Sequence, residues 1–201
     1  MTGSSVTFIA RDAEVHPSAR LGEGTRVWSL AQIRNEARVG PECVLARGAY
    51  LGPGVVVGSR CKIQNYAQIH EPAQLGNGVF VGPGAVLTND HVPRATNPDG
   101  SLRRGDDWEI ARVVVGDGAS IGASAVCIAP VTVGEYSMVG AGSVVTRDVP
   151  SFALVIGSPA RFVRWISRSG GPLQKTETGR WRCPETGEIY VQQDDGLHLD
   201  S

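Results

Sequence analysis

A six-residue period runs through this chain and leaves little freedom in what it can fold into. Counted in sixes from Val15, the positions Val15, Leu21, Val27, Ile33, Val39, Leu45, Leu51, Val57, Ile63, Ile69, Leu75, Val81 and Leu87 are all Val, Leu or Ile. Four residues beyond each of the first twelve stands a small residue, from Ala19 and Thr25 through to Val79 and Ala85. A helix wants its apolar residues about 3.6 apart and a half-buried strand wants alternation; a period of six serves neither. It fits one short strand and one turn, repeated, which is the signature of a parallel β-helix. In that fold the branched residue fills the interior and the small one sits where a corner limits space. Glycine often follows the branched residue (Gly22, Gly40, Gly52, Gly58, Gly76, Gly82), where a turn is expected to need an unusual backbone angle.

The period stops after Leu87 and resumes at Val115, continuing through Ile121, Cys127, Val133, Val139 and Val145. Three hexapeptides make one triangular coil, so the repeats predict about six coils, a prism near 30 Å tall at roughly 4.8 Å per strand layer. Each coil buries its apolar residues only against its neighbours, so stability accumulates along the stack. Cys43 and Cys61 fall in the small interior slot and Cys127 in the branched one, which reads as packing.

Composition narrows the function classes. A formal charge of −1 and a pI near 6.4 give no reason to expect nucleic acid or an anionic membrane as partner. Apolar runs are short and broken by Gly and Pro, so no membrane helix is expected. The start of the sequence lacks a basic segment followed by an apolar run, which makes the cytoplasm the expected compartment. The four cysteines show no CxxC pair, so neither a disulfide framework nor a metal site is expected.

Four motifs then resemble one family. "IQN" at residues 63–65, "TNDHVPR" at 88–94, "VGDGASIGASAV" at 115–126 and "VGAGSVVTRDVPSFALVIGSPAR" at 139–161 look like the left-handed β-helix, hexapeptide-repeat acyltransferases. Within them the match is to enzymes that acetylate the 3-amino group of nucleotide-activated amino sugars. The resemblance covers about residues 6–166. It implies a left-handed, all-β prism, acetyl-CoA as acyl donor, a UDP- or dTDP-linked amino sugar as acceptor, and a homotrimer with active sites between adjacent prisms.

The break at residues 88–112 is where the polar groups gather, and a long excursion from a rigid solenoid is commonly functional. Acetyl transfer to an amine needs a proton acceptor and a hydrogen bond for the thioester oxygen as it gains charge. Asn65, outward-facing beside interior Ile63 and matching "IQN", is the candidate for orienting the amine or supporting that oxygen. His91, in the loop, is the candidate base, because imidazole titrates near operating pH; the motif does not carry it over, and the departing thiolate is the alternative proton acceptor. His70 and Glu71, one hexapeptide after Asn65, are candidate substrate contacts. Asn89, Asp90 and Arg94 match the family loop and are expected to hold the sugar or its diphosphate, Arg favouring bidentate phosphate contacts. For coenzyme A the expectation is backbone near Ala123 and Ala141 for the pantetheine arm, and Arg161 for the 3′-phosphate.

The organisation read from the sequence is a β-helix over residues 1–157, a short capping helix over 158–170, and a tail over 171–201 with a hairpin around "PETG". Within enzymes the alternative is an acyltransferase that takes a different amine or a hydroxyl as acceptor, and two other classes compete. A hexapeptide-repeat carbonic anhydrase needs three zinc-binding histidines, for which His70 and His91 lack the spacing. A non-catalytic scaffold would leave the long polar loop without a purpose.

Overall fold

The computed structural model describes residues 6–194 and 196–200; the outer limits of the expected domains, residues 1 and 201, lie outside them. The repeats form a three-faced parallel β-helix. The first face begins with Phe8–Ile9 and climbs through Arg26–Val27, Val44–Leu45, Lys62–Ile63, Phe80–Val81, Ser120–Ile121 and Met138–Val139 to Ala153–Gly157. The second runs from Glu14–Val15 to Val144–Val145 and the third from Arg20–Leu21 to Val131–Val133. In most of these strands only two residues are extended, and the second points inward: Ile33, Leu45, Leu51, Ile63, Ile69 and Leu87 are buried. The first face gains one strand before Val15 and one after Val145, so the stack extends slightly beyond the counted repeats.

Register shows how little the break disturbs the stack. Strand partners lie 18 residues apart below it, as in Lys62↔Phe80, and 40 apart across it, as in Phe80↔Ser120. The chain leaves the second face at Val86–Leu87, makes its excursion, and re-enters the third face at Val113–Val115. Its one regular element is a three-residue 3-10 turn, Gly105–Asp107.

Two local expectations need correction in their physical cause. The glycines after the branched residues do not adopt unusual angles; they are required by proximity. A Cβ on Gly22 would lie 2.3 Å from the nitrogen of Pro41 on the next rung. Left-handed angles fall two residues later, at Gly24, Gly54, Gly78 and Gly84. The small slot, for its part, is more than small. At the corner between the third and first faces, the Thr25 hydroxyl donates to the Gly40 carbonyl at 2.8 Å and accepts from the Cys43 amide at 3.1 Å. Cys43 repeats the arrangement one rung on, donating to the Gly58 carbonyl and accepting from the Cys61 amide. Burial pushes the Cys127 thiol up to about 12, as suits an inert core group.

The capping helix expected over residues 158–170 is not there. After Ala153–Gly157 the chain reverses, and Ala160–Trp165 returns antiparallel against it, with a register shift between Leu154 and Val155. The spacing of Phe162, Val163, Trp165 and Ile166 suits a helix face, but it equally suits a bulged strand. The last coil decides, because its open edge offers backbone groups that only another strand can pair. The cap is therefore a hairpin, with aromatic and branched residues that favour strands.

The tail carries the expected hairpin, Trp181–Arg182 with Ile189–Gln193, inside a four-stranded antiparallel sheet with Gln174–Lys175 and Gly196–Leu199 at its edges. It packs on the prism end through its own small core of Phe152, Leu173, Cys183, Tyr190 and Leu197. Among the described residues, no helix is long and apolar enough to cross a membrane.

Candidate active site

The first corner, between the first and second faces, is a column with one position per rung. The Gly84 amide donates to the Asn65 carbonyl at 2.9 Å, Ser124 to Pro83 at 2.8 Å, and Gly142 to Ala123 at 2.8 Å. Asn65, Pro83, Ala123 and Ala141 thus share one hexapeptide position on four successive rungs, all but Pro83 singled out by sequence. Asn65 is exposed, and among the described residues its side-chain amide makes no hydrogen bond, which leaves its N–H groups open to a ligand. Ala123 and Ala141 leave the corner low and accessible. At the upper end of this column the terminal hairpin bends back, where the Gly157 amide donates to the Ser143 hydroxyl at 3.1 Å. Arg161 lies in that hairpin opposite Ile156, exposed, with one guanidinium N–H donated to the Ala160 carbonyl.

The second corner, between the second and third faces, holds the remaining candidates. His70 donates its amide to the Leu87 carbonyl, and Thr88 on the next rung to that of Cys127. The loop starts there. His91 Nδ1 lies 3.1 Å from the carbonyl oxygen of Ala129, whose own amide donates to the Thr88 hydroxyl at 3.0 Å. A carbonyl can only accept, so Nδ1 carries a proton, and in the neutral ring it is Nε2 that holds the lone pair. That is the form of histidine that can take up a proton.

Other loop residues mainly build the loop. Asp90 accepts the Val92 amide at 2.7 Å, and the Asn89 carbonyl accepts the Ala111 amide at 2.9 Å, closing the neck. Arg94 donates to the Pro93 carbonyl and is otherwise exposed. Arg103, which no motif marks, donates to the carbonyls of Val92 at 3.1 Å and Asp107 at 2.7 Å, joining the two limbs of the loop. A hollow of about 390 Å³ beside His91 is lined by Asp90, Arg103, Trp108, Glu109 and Pro130, among others. No periodic signal could have singled out Arg103 or Trp108, since the loop has no repeat to measure them against. Glu71 turns Oε2 towards Gly52, buried and without a hydrogen bond among the described residues, rather than towards solvent.

The candidates therefore form two groups. Asn65, Ala123, Ala141 and Arg161 stand along the first corner; His70, Glu71, Asn89, Asp90, His91 and Arg94 stand at the second. The second face separates them, so one chain does not bring Asn65 and His91 together. Among the described residues no three His, Cys, Asp or Glu side chains are placed to hold a metal ion.

The site is thus a three-faced hexapeptide prism with a polar loop at one corner and an open column at the next. Residues 54–89 match the bacterial transferase hexapeptide family (six repeats), and residues 112–147 the hexapeptide repeat of succinyl-transferase, one on each side of the loop. The chain is 46% identical over 174 residues to dTDP-3-amino-3,6-dideoxy-alpha-D-galactopyranose 3-N-acetyltransferase of Aneurinibacillus thermoaerophilus, covering 87% of this chain and 86% of that one. Among solved structures, PerB of Caulobacter crescentus, in complex with CoA and GDP-perosamine, is 29% identical with a TM-score of 0.50. That match covers 80% of this chain but 58% of PerB, so the chain spans little more than half of that protein. A putative acetyltransferase of Bacillus cereus, 19% identical with a TM-score of 0.56 over 83% of this chain and 88% of its own, shares the fold. The chain belongs to the hexapeptide-repeat acetyltransferases.

Proposed function

We propose that this protein transfers the acetyl group of acetyl-CoA to the 3-amino group of a dTDP- or UDP-linked amino sugar, as a cytoplasmic homotrimer. The loop at the second corner of one protomer would face the first corner of its neighbour, bringing His91 to Asn65. The Aneurinibacillus relative supports the acceptor class, and PerB supports a site that takes CoA together with a nucleotide-linked amino sugar.

The observation that carries the chemistry is the hydrogen bond from His91 Nδ1 to Ala129. It fixes the ring and leaves Nε2 as the acceptor. The sugar amine attacks the thioester carbon, and the new C–N bond forms as Nε2 takes the nitrogen's proton. Asn65 donates an amide N–H to the thioester oxygen while that oxygen carries charge. The C–S bond then breaks, and the departing thiolate takes the proton from the imidazolium. Coenzyme A lies along the first-corner column, with Arg161 at its phosphate end. Asn89 and Asp90 act through the loop they stabilise, and exposed Arg94 is left to meet the acceptor.

Free-thiol release from acetyl-CoA with a panel of dTDP- and UDP-3-amino sugars tests this. Turnover with at least one is expected, and His91→Asn should lower kcat by about 10²- to 10⁴-fold, the span of general acid–base catalysis. Tight acetyl-CoA binding with no thiol release from any acceptor would reject the amino sugar.

A further inference from the structure

The donor column explains the rungs above Asn65 but leaves unused a second hollow, which opens below it on the second face. Tyr66 follows Asn65 directly, in a left-handed conformation at φ 58°, and lays its ring over Gly48 of the rung beneath. A Cβ on Gly48 would come within 2.4 Å of that ring, so only glycine lets the tyrosine lie flat. The Tyr66 hydroxyl accepts a hydrogen bond from Arg47 Nε at 3.1 Å. Next to it on the face stands Tyr50, in register between Gln32 and Gln68. The His70 ring closes the far side, tilted against Tyr50 at a centroid distance of 5.4 Å. The hollow is open to solvent, about 300 Å³ in volume, and lined by Gln32, Gly48, Tyr50, Tyr66, Gln68 and His70.

We infer that this hollow binds the pyrimidine base of the nucleotide-linked acceptor, with the diphosphate beside Arg47; the inference rests on the function proposed above. Flat aromatic rings without net charge suit a stacked base. A pyrimidine such as uracil or thymine presents one N–H flanked by two carbonyls, an edge that side-chain amides can match with a donor and an acceptor each. The Gln68 amide makes no hydrogen bond among the described residues, and Gln32 uses one N–H on Glu14 at 3.2 Å. Arg47 spends Nε on Tyr66, and its terminal nitrogens make no hydrogen bond among the described residues; with only the nearby Asp12 carboxylate acting on its charge besides Tyr66, it keeps donors suited to phosphate. The placement also solves a problem of approach. Coenzyme A occupies the corner above Asn65 and the nucleotide the face below it, so the two substrates converge on Asn65 from opposite directions.

The test is calorimetric titration of the full-length protein with dTDP, UDP and GDP, alongside acetyl-CoA as a control ligand. Arg47→Met and Tyr50→Leu should each weaken dTDP about tenfold, within the range of one stacked base or one charge-assisted bond lost. Acetyl-CoA affinity should stay within about twofold, because its column lies elsewhere and that control also reports an intact fold. GDP should bind at least about tenfold more weakly than dTDP. Unchanged dTDP affinity in both variants, or equal affinity for GDP, overturns the base site while amino-sugar turnover by the wild type still stands. Wild-type failure to turn over any nucleotide amino sugar brings down the function itself, and this site with it.

Discussion

The prism and the loop that interrupts it are built on opposite principles. Inside the prism one branched residue and one small residue per hexapeptide fill a dry interior, and the main chain pairs rung to rung without regard to outward side chains. The loop at residues 88–112 buries almost nothing. It is held by side chains bonded to main chain: Arg103 to Val92 and Asp107, Asp107 to the Arg104 amide, Asp90 to Val92, and Asp99 to Ser101. Stability and chemistry are thereby separated. Stability is spread over many equivalent rungs, whereas the shape around His91 rests on a few polar bonds.

The largest effect should come from breaking the prism. Leu45 is fully buried in mid-stack, paired with Val27 below and Ile63 above. Leu45→Ala should cost about 2–5 kcal/mol of unfolding free energy, the usual range for a core leucine. Chemical denaturation measures it, and below the transition kcat should hardly change. A stability loss under about 1 kcal/mol would mean that the interior collapses around the gap more easily than a rigid stack should.

Arg103 is the converse case. It touches no core residue, so Arg103→Met should leave the denaturation midpoint nearly unchanged, as expected of a surface site within about 0.5 kcal/mol. Yet the loss of both carbonyl contacts frees Val92, and with it His91, so kcat should fall about 10²-fold with little change in the KM for acetyl-CoA. Arg103→Lys can restore one of the two bonds and should fall between. If kcat and the midpoint dropped together, Arg103 would be a structural residue rather than one that positions His91.

The same contrast decides what could be read from sequence. The prism was legible because its constraint recurs: each rung asks the same question of the same position, and Val, Leu or Ile answers it. Even the alignment of Asn65 with Ala123 and Ala141 follows from their shared phase in the hexapeptide. Where a constraint is met once, the reading was incomplete. A helix and a strand are both compatible with Phe162, Val163, Trp165 and Ile166 at the cap, and the open edge of the last coil, not their spacing, decides between them. Gly22 taken alone points to its own backbone angle, whereas the cause is the approach of Pro41 from another rung. Arg103 and Trp108 had no phase to betray them. Tyr66 did have a signal, since Gly48 stands one coil earlier, but it becomes informative only once the ring is seen to need that space.

The smallest expected effect is also the one that separates the two regions most cleanly. The Arg104 amide, and then the Asn97 side chain, hold the Asp107 carboxyl below the ordinary aspartate value; the Ser101 hydroxyl and amide do the same for Asp99. A carboxylate whose pKa is depressed in the folded state favours that state above the unfolded value, and the contribution disappears as pH falls through the folded one. The loop should therefore loosen in acid, in a window that begins near ordinary aspartate titration and extends below it. Among the described residues no carboxylate lies in the apolar interior of the prism, which should not respond there. Protection of the Arg104 and Ser101 amides against hydrogen exchange, corrected for the intrinsic effect of pH, should fall through that window. The amides of Phe80 and Val126, locked in the stack on either side, should hold their protection. Both exposed carboxylates are screened by solvent, so the change should be modest and confined to the loop. Equal loss in loop and prism would show that the excursion is coupled to the stack, and that the separation between scaffold and site is weaker than the hydrogen bonds suggest.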